Sequence, residues 1–356
     1  MRWIAWCALG MIAAPAAAET LYVSNERGNS VSVIDADAGR TIATWPVGGR
    51  PRGITLSRDG RFIYLCASAD HAVQVIDRAT GKVVAELPSG QDPEQFFLSR
   101  DGATLFIANE DDAALTAVDV AARKVAFQVD VGGEPEGVAQ SPDGKWVVVT
   151  SEEDNVVNWI DLASRTMAEA MPVDLRPRHV EFTGDGRELW VAAEVGGTVQ
   201  IADVATRKVV DTLRFAIPGV ASYRILPCGI RFTPDGRTAI VALGRADHVA
   251  LVDVATRKVR AYVPVGRRVW HVAVGADGRR AYAANGLSDN VSVIDLAAAK
   301  VVATVPAGES PWGSWSRPDP RSVARPKGRE PKSNFGARAF PDSHPRPAST
   351  GGITGG

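Results

Sequence analysis

PRGITLSRDGRFIYLCASADHAVQVIDRATGKVVAELPSG, residues 51–90, decides the fold. Pro51–Ser57 alternates apolar and polar residues, as a half-buried strand does. Arg58-Asp59-Gly60-Arg61 is a turn in which Gly supplies positive φ and Asp bonds its own backbone. Phe62–Cys66 is rich in aromatic and branched residues and makes a second strand. Ala72–Ile76 is a third, Asp77–Lys82 the next turn, and Val83–Leu87 a fourth. Four antiparallel strands of this size make one propeller blade.

The V-x-V-I-D element and its variants recur along the chain, ending at Asp35, Asp77, Asp119, Asp161, Asp203, Asp253 and Asp295. Every step is 42 residues except one of 50. An Asp-Gly turn keeps the same beat at Gly60, Gly102, Gly144, Gly186, Gly236 and Gly278. One blade cannot bury both of its faces, so the copies must pack around an axis. An all-β fold follows: a seven-bladed β-propeller with four antiparallel strands per blade. The N-terminal copy lacks its first strand, because Leu21-Tyr22-Val23-Ser24 is already a second strand. Ser310-Pro311-Trp312-Gly313 matches the start of the missing one, so the C-terminal strand is expected to complete the N-terminal blade and close the ring. That strand is unusual: positions held by Ile54 and Leu56, or by Val180 and Phe182, in other copies carry Ser314 and Ser316.

Three parts of the 356 residues differ in kind. Residues 1–18 hold a lone Arg2, an apolar run from Trp3 and a small-residue end, Ala16-Ala17-Ala18. This reads as a secretory signal peptide cleaved before Glu19, and the run is short for a membrane anchor. Residues 19–316 are the repeat region. Residues 317–356 are Pro-, Gly-, Ser- and Arg-rich and read as a disordered basic tail. Without the leader and tail, 31 basic residues face 38 acidic ones, which argues against a nucleic-acid partner. No membrane span is expected after cleavage, and a monomer is expected. Past the leader only Cys66 and Cys228 remain, at different strand positions of different blades, so a disulfide between them is not expected. No haem or zinc cysteine spacing is present, and no cofactor or metal is expected.

In a propeller the first strand of each blade lines the central channel. The loop entering it shares one face with the loop between second and third strands. The Asp-Gly turns lie on the other face and are nearly uniform, which suits a scaffold; the loop face varies, which suits recognition. At the channel mouth the residue after the loop proline, or its equivalent, reads Arg52, Glu94, Glu136, Arg178, Cys228, Trp270 and Trp312. The next position is Gly in four copies, Gln95 in one, and His179 and His271 in two. Glu26, Glu110, Glu152 and Glu194 come from the neighbouring loops, and the eight extra residues within Phe215–Tyr223 are expected to form an apolar lip over the mouth. The mouth is read either as a ligand or partner site (Arg52, Glu94, Glu136, Arg178, His179, Cys228, Trp270, His271 and Trp312) or as a wet ring of neutralising charges. The histidines as metal ligands would need a third donor, and Cys228 as a nucleophile has no motif to fix its geometry. No catalytic residue is assigned.

Leu21-Tyr22-Val23-Ser24-Asn25, Ser30-Val31-Ser32-Val33-Ile34-Asp35 and Tyr282-Ala283-Ala284-Asn285 resemble the YVTN-type β-propeller repeat over residues 21 to about 313. Pro51-Arg52-Gly53, Pro135-Glu136-Gly137, the long loop of the fifth copy and Pro311-Trp312-Gly313 resemble the propeller family associated with pyrroloquinoline-quinone-dependent catabolism. That resemblance implies a periplasmic, non-enzymatic binding or assembly module serving quinoprotein-linked alcohol oxidation. The implied partners are a quinoprotein dehydrogenase, its cytochromes or transport components. Alternatives are a lactonase-like hydrolase with its site at the mouth, and a quinoprotein dehydrogenase itself. The latter generally has eight blades, and its tryptophan-docking repeats and adjacent cysteines are not found here.

Overall fold

The computed structural model describes residues 19–318, so the leader and almost all of the tail lie outside the described residues. Twenty-eight strands form seven four-stranded sheets, each antiparallel and sequential from axis to rim. Blade 1 is the exception in chain order. Its innermost strand is Pro311–Pro318, followed by Glu19–Asn25, Ser30–Asp35 and Arg40–Pro46. Leu21 opposes Ser316, Tyr22 opposes Trp315 and Asn25 opposes Pro311, so the ring is closed as the repeat phase predicts. Blades 2 to 7 begin at the axis with Pro51–Leu56, Pro93–Leu98, Pro135–Gln140, Pro177–Phe182, Ile230–Phe232 and Val269–Val274.

The core is divided among the blade junctions. Seven apolar clusters each span two neighbouring blades, as where Tyr22 and Val31 of blade 1 meet Ile54 and Ile63 of blade 2. At the junction of blades 4 and 5, Trp159 is fully buried and meets Phe182 edge-on, with ring centroids 5.9 Å apart. The two recurrent turns are side-chain locked. Ser57 Oγ donates to Asp59 at 2.6 Å, the same carboxylate accepts the Arg61 N–H at 3.0 Å, and Gly60 takes φ +68°. Asp77 likewise accepts the N–H groups of Ala79 and Thr80. With their carboxylates used in this way, these turns hold hairpins together.

Two irregularities recur. The third strand shifts register against the fourth in every blade, as between Val33 and Ile34. The innermost ladder is interrupted just past its first residue, between Pro51 and Ile54, Pro93 and Phe96, or Val269 and Val272. Bulges of this kind re-aim side chains, and this one falls on the mouth residues.

The insertion departs from expectation. Phe215 and Ile217 are buried among Trp190, Val199, Leu213 and Ile230 at the junction of blades 5 and 6, and Val220 packs against the same cluster. The apolar residues thicken a blade junction; they form no lip over the mouth. Blade 6 has the shortest inner strand, three residues, and its preceding chain is held partly by Cys228 N–H to the Ala242 carbonyl at 3.0 Å. Among the described residues no helix is long and apolar enough to cross a membrane.

Candidate functional site

The inner strands approach closely at the loop end of the axis because four of them carry glycine there. A Cβ on Gly53 would lie 3.0 Å from the Glu94 carbonyl oxygen, one on Gly137 2.8 Å from that of Arg178, one on Gly229 3.0 Å from that of Trp270, and one on Gly313 2.8 Å from that of Arg52. The remaining three strands place side chains at the same level, and these fill the axis. Gln95 Nε2 lies 3.3 Å from His271 Nε2, and the rings of His271 and His179 meet edge-on with centroids 5.7 Å apart. His271 also lies on Trp312 at 4.2 Å between centroids. Gln95, His179 and His271 thus plug the channel, and all three are buried.

Above this plug the predicted mouth residues do come together, but as a buried ionic lattice. Arg178 reaches Glu136 at 2.5 Å, Glu152 at 2.9 Å and Glu194 at 3.0 Å. Arg52 pairs with Glu94 and, at 2.9 Å, with Glu26. Glu94 is fully buried, and Glu136, Arg178 and Cys228 are nearly so. The tryptophans do not stand free. Trp312 is 2% exposed beneath the Arg52 guanidinium, and half-buried Trp270 lies between Arg268 at 3.7 Å and Arg178 at 5.2 Å. Neither tryptophan presents an open face: cation–π contacts cover both.

A second ring of charge escaped the sequence reading. Arg50, Asp92, Glu134, Arg176 and Arg268 each sit two residues before a mouth position, all with positive φ. Arg50 lies in a cradle of Asp92 (2.8 Å), Glu94 (3.0 Å) and Glu110 (3.9 Å). These three acids are close enough together to hold a metal ion, but the guanidinium already occupies their centre. Arg176 reaches Glu152 at 2.7 Å, and Arg268 reaches Glu194 at 2.7 Å. The signal for this ring was available: these positions share the 42-residue phase and vary as the mouth residues do.

The electrostatics explain what the mouth can do. Burial opposes charge on Arg178, but Glu136, Glu152 and Glu194 hold it well above its ordinary range. Arg178 in turn holds Glu136 well below the carboxylate range despite burial. Burial and the negative charge of Glu136 push Glu152 up. Burial lowers His179, and burial with its neighbour His179 lowers His271 further, so both imidazoles favour the neutral form. His179 Nε2 lies 2.7 Å from Arg231 Nη1, a poor neighbour for a metal ion. The Cys228 thiol is pushed up to about 12 by burial and Glu194, away from the thiolate a nucleophile needs. Cys66 is buried and free as well.

Below the plug the channel reopens. A cavity of about 280 Å³ is lined by inner-strand residues of all seven blades and by turn residues Arg58, Pro234, Gly275 and Ala276. It faces the turn side, opposite the mouth.

Comparison with known proteins places the fold. Family models match in three overlapping or adjoining stretches: a YNCE-like β-propeller over residues 8–98, a cytochrome D1 heme domain over 64–161, and a seven-bladed lactonase propeller over 137–304. The chain is a β-propeller protein. No curated protein sequence matches it. Among solved structures it is similar to hydrazine synthase of Kuenenia stuttgartiensis, at 22% identity over 82% of this chain and 99% of that one, TM-score 0.70. A protein of Bacteroides uniformis described as a candidate 6-phosphogluconolactonase matches at 16% identity over 85% of this chain and 100% of that one, TM-score 0.71. Dihydro-heme d1 dehydrogenase NirN in complex with DHE matches at 19% identity over 83% of this chain and 74% of that one, TM-score 0.63. At such identities the likeness is one of fold, and fold does not carry activity.

Proposed function

We propose that this chain is an exported, periplasmic, non-catalytic propeller that acts as a binding or assembly module in quinoprotein-linked alcohol oxidation. The reading rests on one observation above others. The loop-face groups that would do chemistry are buried and bound to one another, leaving a closed plug ringed by exposed loops. Such a face suits a macromolecular partner better than a small substrate. Its exposed charge is uneven: Asp111, Asp112, Glu153 and Asp154 lie over blades 3 and 4, and Arg245 and Arg267 over blades 6 and 7, where Arg224 is paired with Asp247 at 3.3 Å and Asp289 is exposed as well. Uneven charge steers and orients an encounter. A dehydrogenase or its cytochrome with the complementary pattern is the partner we infer, bound by a single copy of this chain.

The test is titration of the purified full-length protein against a quinoprotein alcohol dehydrogenase and its cytochrome at low and high salt. Binding that weakens with salt, and falls at least tenfold in the double variant Asp111→Lys/Glu153→Lys, is expected. The lactonase alternative draws on the family match over 137–304. Lactone hydrolysis that disappears in His179→Ala, with no partner bound, would replace the assembly reading by that one.

A further inference from the structure

The seven equivalent inner-strand positions at the level of the turn-side chamber differ widely in chemistry. They read Thr55, Phe97, Ala139, Glu181, Arg231, Ala273 and Trp315 in blade order from 2 to 1, while the Ser/Thr-x-Asp-Gly turns beside them barely change. On one side, half-buried Phe97 and Trp315 flank Thr55. On the other, Arg231 pairs with Glu181 at 2.8 Å, and both side chains keep about 30% of their surface open, at 30% and 29%. Inside a channel, open surface is chamber surface.

Two further observations mark this chamber as a site and not merely a gap. First, buried polar atoms of two lining residues are left without partners, His179 Nδ1 and Ser314 Oγ, as Arg268 Nη1 and His271 Nδ1 are at the loop end. Such atoms normally find a partner in the protein, a water or a ligand. Second, the charge is not closed. Arg58 at the entrance donates its hydrogen bonds to the carbonyl oxygens of Leu98 and Ser99, at 2.8–3.1 Å, and not to a carboxylate. With Arg231 cancelled by Glu181, the lining carries one positive charge in excess. At the mouth, by contrast, each guanidinium meets carboxylates.

We propose that the turn-side chamber is a binding site for a small planar aromatic carboxylate. Its ring lies against Phe97 and Trp315, and its carboxylate faces Arg58. An apolar wall with a few convergent polar groups is the usual make-up of a small-molecule site, and a guanidinium matches a carboxylate in shape as well as charge. The site is separate from the loop face, so partner docking there neither supports nor weakens it.

The experiment is calorimetric titration of the full chain with indole-3-carboxylate and benzoate, with benzylamine and benzyl alcohol as cationic and neutral controls. Saturable binding of at least one carboxylate, at least tenfold tighter than either control, is expected. Thr55→Trp, which fills the chamber, and Arg58→Gln, an exposed substitution that leaves the fold intact, should each weaken it tenfold or more. Trp270→Ala on the opposite face should leave it unchanged. No saturable carboxylate binding, equal binding of benzylamine, or unchanged binding in Arg58→Gln would each overturn the proposal.

Discussion

The same seven inner strands close the channel at one end and open it at the other. At the loop end, four glycines draw the backbones together and Gln95, His179 and His271 fill what is left. Two residues further on, small side chains such as Thr55 and Ala273 stand among larger groups, and a cavity of about 280 Å³ remains. The charge differs in the same sense. At the loop end every buried carboxylate that we describe has a guanidinium within reach, as Glu94, Glu136, Glu152 and Glu194 do. At the turn end Arg58 binds only backbone carbonyls. A polar residue near the axis is therefore not by itself a sign of a site. What matters is whether its bonding capacity is spent inside the protein.

The comparison breaks most sharply at Arg178. Replacing it by Ala leaves Glu136 with an unpaired buried charge and takes one guanidinium from Glu152 and Glu194, which keep Arg176 and Arg268. A loss of about 3–5 kcal/mol in urea unfolding is expected, the usual result of breaking a buried pair from one side. Arg58→Ala on the turn side should stay within about 0.5 kcal/mol. Equal effects would mean that the lattice is not structural and that the mouth is an ordinary solvated ring.

Glycines sharpen the contrast at somewhat lower amplitude. A Cβ on Gly137 would sit 2.8 Å from both the Arg178 carbonyl oxygen and the His179 Cα, which are backbone atoms that cannot swing away. Gly137→Ala is expected to cost about 1–3 kcal/mol through overpacking. On the turn face, a methyl group on Gly184 would meet nothing within 4 Å. Gly184→Ala should be neutral or stabilising by up to about 1 kcal/mol, through the unfolded chain. A thermal melt of the pair reads both signs at once, and a harmless Gly137→Ala would disprove the close strand approach.

The architecture was legible because a 42-residue phase leaves almost no freedom: strand number, blade number and ring closure all follow from where Asp35 to Asp295 and Pro311 fall. The identity of the mouth residues was legible for the same reason. Their burial was not. It depends on the bulge after Pro51 or Pro93, on glycine-mediated approach and on partners 42 residues away, none of which alternation reveals. The insertion misled because Phe215 and Ile217 signal apolar burial without saying against what. The chamber passed unnoticed because Thr55, Phe97, Glu181 and Arg231 occupy a position that alternation marks only as non-core. In the closing strand the two serines drew attention away from Trp315.

Ser314 offers a smaller test of the turn end. Its position is held by Ile54 in blade 2, and its buried Oγ has no partner. In the protein free of ligand, Ser314→Ala removes an unsatisfied hydroxyl and should gain about 1 kcal/mol. A loss of that size instead would indicate that an ordered water already satisfies the group.

The least of the expected effects concerns a single proton at the loop end. Burial and the charge of Glu136 raise Glu152 above the ordinary carboxylate value of 4.5, so the folded chain binds that proton more tightly than the unfolded one. Stability from this group is fully present below that value and is lost as pH rises toward the raised one. Glu136 has the opposite sign. Arg178 depresses it, so its contribution is present above 4.5 and is lost only as pH falls through the depressed value. Glu152→Gln deletes the first dependence and keeps the second. The variant and the wild type should then differ little near pH 5, and the variant should become the more stable as pH rises to about 9. Urea unfolding at the two pH values measures this. If the variant is instead less stable by the same margin at both, Glu152 is ionised throughout between Arg176 and Arg178. The plug would then be a lattice of full charges with no shared proton.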